Sequence, residues 1–123
     1  MEKQEIFNIV ATKLLEQGKP CSVNGICRYR YNEMRCAVGH LLNDDQLDQI
    51  IGLQGETVNA LITYKGNVVP AYFHVEKIFL RALQTAHDVP ARVDSNPDTW
   101  LESWKTYMQH IASEYKLDAS LVT

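Results

Sequence analysis

Only one stretch of this chain alternates with the period of a β-strand. Cys27-Arg28-Tyr29-Arg30-Tyr31, a polar Asn32-Glu33 corner, and Met34-Arg35-Cys36-Ala37-Val38 place every second side chain on one side. Alternation on both sides of Asn32-Glu33 predicts an antiparallel hairpin. Any even-numbered loop centred there sets Arg30 opposite Arg35 and Tyr29 opposite Cys36. In that register Cys27, Tyr29, Tyr31, Met34, Cys36 and Val38 share one face, and Arg28, Arg30 and Arg35 share the other with Ala37 and Gly39. Like charges directly opposite each other on a ladder are unfavourable. Three gathered guanidiniums therefore call for solvent, carboxylates or a bound anion.

The flanking segments read as helices. Glu5 to Gln17 carries Ile6, Phe7, Val10, Ala11, Leu14 and Leu15 on one side, with Gly18 at the stop position and Pro20 beyond it. Lys19 to Ile26, with Pro20, Ser22, Asn24 and Gly25, is expected to be a loop that delivers Cys21 to the interior. Asn43-Asp44-Asp45-Gln46 reads as a helix N-cap with a reciprocal glutamine, followed by Leu47, Ile50 and Ile51 and closed by Gly52. A second short helix runs over Glu56 to Lys65. A long one is predicted over Ala71 to Asp88, striped with Tyr72, Val75, Ile78, Phe79, Ala82, Leu83 and Ala86 and ended by Pro90. A loop of Asp94, Ser95 and Asn96 leads to Pro97, suited to the first position of a last helix with Trp100, Trp104, Tyr107, Met108, Ile111 and Tyr115 on its apolar face. The expected fold is α+β and mainly helical: about five helices around one antiparallel hairpin, in a single domain over residues 1–123, with a loose tail from about 118 to 123.

Charge limits the partners. Twelve basic and 15 acidic residues give a formal charge of −3, so there is no global field for a phosphate backbone and duplex nucleic acid is a poor partner. No apolar run approaches the roughly 18 residues of a membrane span, and no secretory signal opens the chain, which implies a cytoplasmic protein with no membrane partner. Three cysteines without a Cys-x-x-Cys pair fit reduced thiols.

Several constellations have chemical potential. Arg28, Arg30 and Arg35, with Tyr29 and Tyr31 beside them and His40 nearby, suit phosphate or carboxylate oxygens and a stacked base; alternatively the arginines pair with surface acids such as Asp44, Asp45 or Glu33. Cys27, Cys36 and His40 lack the tight paired spacing of zinc sites, so neither a metal nor another cofactor is expected. His87-Asp88 at a helix end suits either a base and its orienting acid or a C-terminal cap with an exposed carboxylate. Trp100 and Trp104, one turn apart, read as core or as a subunit interface. No glycine-rich phosphate loop, His-Glu-x-x-His helix or Gly-x-Ser-x-Gly elbow is present.

Cys27-Arg28-Tyr29-Arg30, followed by Arg35-Cys36-Ala37-Val38-Gly39-His40-Leu41-Leu42, resembles the signature of short proteins encoded by tailed bacteriophages and prophages. Gln4 to Asn8, Leu83 to Asp88 and the closing Trp100 to Leu117 segment are similar to that family as well. The resemblance implies an anti-defence protein of the bacterial host cytoplasm: a non-enzymatic homo-oligomer that sequesters an anionic small molecule such as a signalling nucleotide. The segregated arginine face supplies the expected ligand-binding residues, Arg28, Arg30 and Arg35 with Tyr29, Tyr31, His40 and His87. Two other readings are an inhibitor that masks a host protein with Asp44, Asp45 and Asp48, and a small phosphodiesterase-like enzyme using His40 or His87 with Asp88.

Overall fold

The computed structural model describes residues 1–93 and 96–123, so the predicted loop residues Asp94 and Ser95 lie outside the described residues. The fold is α+β and mainly helical. Its elements are α1 (Lys3–Gln17), β1 (Ser22–Val23), β2 (Ile26–Cys27), β3 (Arg30–Tyr31), β4 (Met34–Arg35), α2 (Asp44–Gln49), α3 (Val58–Lys65), α4 (Tyr72–Val75), α5 (Lys77–Val93) and α6 (Pro97–Tyr115). Among the described residues there are also three short 3-10 turns, at Val38–Leu41, Ile51–Leu53 and Ser120–Val122.

The amphipathic spacing of α1 buries Ile6, Phe7, Val10, Ala11 and Leu14 completely, at roughly 1.5–3 kcal/mol for each large side chain. Gly18 ends the helix in the left-handed region, φ 70°, and returns its N–H to the Leu14 carbonyl. α5 is the central element, packed on α6, α3 and α1. Phe79, Leu80, Leu83 and Ala86 of α5 meet Trp100, Trp104, Met108 and Ile111 of α6 in the core, where the two indoles stack with centroids 5.6 Å apart. The reciprocal cap of α2 forms as predicted, Asn43 with Gln46, but that helix ends at Gln49 and Ile51 is exposed.

Four expectations are corrected. The described residues hold two hairpins, not one: Lys19 to Ile26 is not a simple loop, because β1 and β2 pair across Asn24-Gly25, whose φ values of 53° and 79° are those of a tight type I′ turn. The predicted register of the second hairpin is present, with Arg30 opposite Arg35 and Tyr31 opposite Met34. The strand from Cys27 to Tyr31 is thus divided, its first part pairing backward with β1 and its second forward with β4. The Gln54 side-chain oxygen accepts the Tyr29 and Arg30 N–H groups at this change of partner, at 2.8 and 3.2 Å.

The long helix also differs. It breaks at Glu76, which separates α4 from α5 and leaves Val75 and Ile78 exposed, and α5 then continues through Pro90 to Val93. Pro90 withholds one backbone bond, yet Pro90 and Ala91 are buried and the Trp100 indole donates to the His87 carbonyl in that turn, at 2.9 Å. Tertiary packing offsets the local cost. The C-terminal residues are not loose either: Val122 is fully buried, its carbonyl accepts the Gln109 amide at 2.6 Å, and Asp118 is tied to Gln4. Finally, Ala37 and Gly39 are buried beside the core instead of sharing an open face with arginines. The chain winds into a 3-10 turn at Val38, so strand alternation ends at Cys36.

Candidate functional site

The three hairpin arginines divide between two surfaces. Arg30 and Arg35 stand side by side on β3 and β4, and the carboxylate of Asp44, from the first turn of α2, lies against both. Asp48 takes the remaining edge of Arg30, and Arg35 also donates to the Leu42 carbonyl at 2.9 Å. The like-charge conflict on the ladder is thereby relieved within the chain, by the acid pairing that the sequence allowed as an alternative. Tyr31 is exposed beside this network, and Tyr29 is not at its rim.

His40 lies away from this surface. It is half-buried, with Nε2 3.0 Å from the Gln17 oxygen, and Gln17 also brackets the Arg35 peptide by accepting its N–H and donating to its carbonyl, both at 2.9 Å. Burial, with the Arg35 and Lys13 charges, lowers the His40 pKa to about 4. A neutral imidazole that braces β4 is its role in the fold.

Arg28 is directed elsewhere by the change of strand partner. It lines a cleft of about 200 Å³ with Cys27 and Tyr29 of the same strand, Gly55 and Glu56 of the loop before α3, and Gln84, Asp88 and Arg92 of α5. Its Nε is buried without a hydrogen-bond partner, and no ion pair of Arg28 occurs among the described residues. A second depression of about 180 Å³ adjoins, sharing Gln84, Asp88 and Arg92 and adding Thr57, Arg81 and Thr85. Tyr29 is 2% exposed and contributes a fixed wall, because its hydroxyl donates to the Glu56 carbonyl at 2.7 Å. Burial keeps that phenol protonated.

Asp88 is the best-anchored group of the cleft. Its Oδ1 accepts from Gln84 Nε2 and from His87 Nδ1, each at 2.8 Å, while Oδ2 lies 3.9 Å from Arg92. The pair is not a C-terminal cap with an exposed carboxylate: α5 continues past it, His87 is fully buried and Asp88 is only part-exposed. The Cys21 N–H, which can only donate, points at His87 Nε2 over 2.9 Å, so the ring proton sits on Nδ1 and is spent on Asp88. Both ring nitrogens are engaged, which leaves none free to act as a base on a substrate. Gln84 is fixed at its other end, where its oxygen accepts the Val38 N–H at 3.0 Å.

Cys27, His87 and Asp88 offer ligand atoms within 4.8 Å of one another. The Cys27, Cys36 and His40 set considered from sequence is not the one gathered. A metal on His87 Nδ1 would require that nitrogen to lose its proton while Nε2 still accepts from Cys21, which makes the ring an anion or breaks the Cys21 bond. The donor set therefore does not fit a metal. Nor is a reactive thiol present: burial and the Asp88 carboxylate push Cys27 up to about 12, burial pushes Cys21 up to about 11, and Cys36 rises well above its usual value for the same reason.

Of the seven residues expected to bind ligand, Arg28 and Tyr29 line the cleft and His87 supports it from behind. Arg30, Arg35, Tyr31 and His40 lie elsewhere. Gln84, Arg92 and Glu56 were missed. Gln84, Asp88 and Arg92 do recur every fourth residue, a signal that becomes visible only if the helix is carried through Pro90. Among the described residues no helix is long and apolar enough to cross a membrane. Comparison with known proteins adds no relative: no family model, no curated protein and no solved structure matches the chain significantly.

Proposed function

We propose that this protein binds a small ligand through an anionic group docked on Arg28, and holds it without converting it. The observation that carries this reading is the Arg28 guanidinium, whose Nε is buried with no partner among the described residues, at the wall of a cleft that also holds Arg92. A buried donor left unmade costs about 1–3 kcal/mol, and more when charged; an oxyanion would remove that cost. Arg30 and Arg35 offer less, since Asp44 and Asp48 already occupy them. The same pairing weakens the reading of an acidic face that masks a host protein, because two of its three aspartates are neutralised within the chain. Retention without turnover is supported by the protonated thiols and the fully engaged His87.

A ligand as large as a signalling nucleotide would have to extend from Arg28 into the adjoining depression, toward Arg81. Taken with the resemblance to phage proteins, such capture would serve to withdraw a signal from the host. Calorimetry of the wild type, Arg28→Gln and an Arg30→Gln/Arg35→Gln double variant, against inorganic phosphate and cyclic and linear nucleotides, tests the assignment. Arg28→Gln is expected to weaken binding by about tenfold or more and the double variant to leave it within about threefold. Absence of binding by every ligand that carries an anionic group, zwitterions included, or a loss that follows Arg30 and Arg35 instead, overturns it.

A further inference from the structure

An anion alone does not satisfy this cleft. Arg28 and Arg92 bring two positive charges to it, but Asp88 and Glu56 bring two negative ones, so an anionic ligand on Arg28 stands beside carboxylates with no net field in its favour. Asp88 cannot turn away. The relay from the Cys21 N–H through the buried His87 ring, together with the Gln84 amide, fixes its carboxylate by Oδ1. Beyond the two donors on Oδ1, the carboxylate meets the Cys27 thiol and the long 3.9 Å approach of Arg92 to Oδ2, and the side chain retains 18% exposure. An acceptor held rigidly by donors behind it is pre-organised to receive a donor in front. The exposed Glu56, from the loop opposite α5, adds a second acceptor at the mouth.

Resting on the reading that Arg28 holds an anion, we infer that the ligand is a small zwitterion of the amino-acid class, its carboxylate on Arg28 and its ammonium on Asp88. Size agrees. At about 200 Å³ the cleft lies below the roughly 300–1,000 Å³ of sites for drug-sized ligands. The walls complement both ends of such a molecule: a guanidinium with no hydrogen-bond or ion-pair partner among the described residues and a part-exposed carboxylate fixed from behind lie within one depression.

Three four-carbon probes of matched length separate the possibilities: 4-aminobutyrate as zwitterion, succinate as dianion and 1,4-diaminobutane as dication, with glycine as a shorter zwitterion and inorganic phosphate and a mononucleotide as anions. Calorimetry is expected to rank one of the zwitterions at least tenfold above succinate, phosphate and the nucleotide, with no binding of the diamine. Asp88→Asn keeps an oxygen for His87 and Gln84 and so retains the fold, checked by circular dichroism. It is expected to weaken the zwitterion at least tenfold while strengthening succinate, which reverses the preference. If succinate, phosphate or the nucleotide binds as well as the zwitterions and depends on Arg28, the zwitterion inference fails and the anion reading stands. If no probe binds, or binding ignores Arg28→Gln, both fail together.

Discussion

Replacing Asp88 with alanine tests the relay that fixes the cleft. The change removes the acceptor of two donors with very different access to water. His87 is completely buried, so its Nδ1–H is left without a partner at a cost of about 1–3 kcal/mol. Gln84 faces the cleft, where water can take over its amide, so its share is about 1 kcal/mol or less. The sum is about 3 kcal/mol. For a chain of 123 residues, at about 4 °C per kcal/mol, the melting temperature should fall by about 12 °C. Asp88→Asn retains the oxygen and loses only the charge assistance of the two bonds, about 1 kcal/mol or about 4 °C. Urea unfolding of both variants and of a His87→Leu/Asp88→Ala pair measures the terms. With His87 gone, removal of Asp88 should cost at least about 1 kcal/mol less than it does in the wild type. An Asp88→Ala melting point within about 2 °C of the wild type refutes the relay. Equal losses in the alanine and asparagine variants would assign the effect to charge pairing with Arg92 instead.

Two further outcomes follow from the geometry. The folded pKa of His40, about 4, lies below the unfolded value near 6.5, so the unfolded chain takes up the proton first as pH falls. The stability from this source is therefore complete above about pH 6.5 and is lost toward pH 4, by at most about 3 kcal/mol; His40→Gln should flatten that part of the urea-measured pH profile, and an unchanged slope counts against it. Gly39→Ala would put a methyl carbon 2.1 Å from the Tyr29 carbonyl oxygen and 3.3 Å from the Arg35 β-carbon. Both neighbours are held, Tyr29 by Glu56 and Gln54 and the Arg35 peptide by Gln17, so the variant should lose about 3 kcal/mol or more in denaturant titration, with a loss under about 1 kcal/mol refuting the tightness of that contact.

The legible parts of this chain are those where local pattern and tertiary environment agree. The stripe of α1, the Asn43-Gln46 cap, Pro97 at the start of α6 and the pairing of Arg30 with Arg35 all follow from spacing that no neighbour contradicts. The first hairpin had its own signal in Asn24-Gly25, but its strands are two residues each and their polar and buried positions do not alternate. Where packing overrides propensity, the reading failed. Pro90 normally stops a helix, but Ala91 is buried and the Trp100 indole bonds the His87 carbonyl in the same turn, so packing carries α5 onward. The grouping of Arg28 with Arg30 and Arg35 assumed one uninterrupted ribbon, and the side chain of Gln54, distant in sequence, interrupts it.

These same departures create the cleft. Had α5 stopped at Asp88, Arg92 would not stand one turn beyond that residue on the face that already carries Gln84, and His87 would sit in a fraying last turn, unable to relay the Cys21 N–H to a carboxylate. Had the strand from Cys27 continued as one ribbon, Arg28 would have joined Arg30 within reach of the α2 acids. The change of partner after Cys27, closed by Gln54, points it at α5 instead, away from Asp44 and Asp48. Local rules are broken twice, and both breaks bring charged side chains to one place that the core does not use. Strain and frustration of this kind concentrate where selection acts on something other than stability. Among the described residues the Arg28 side chain has no hydrogen-bond or ion-pair partner, which is the place the proposed ligand would fill.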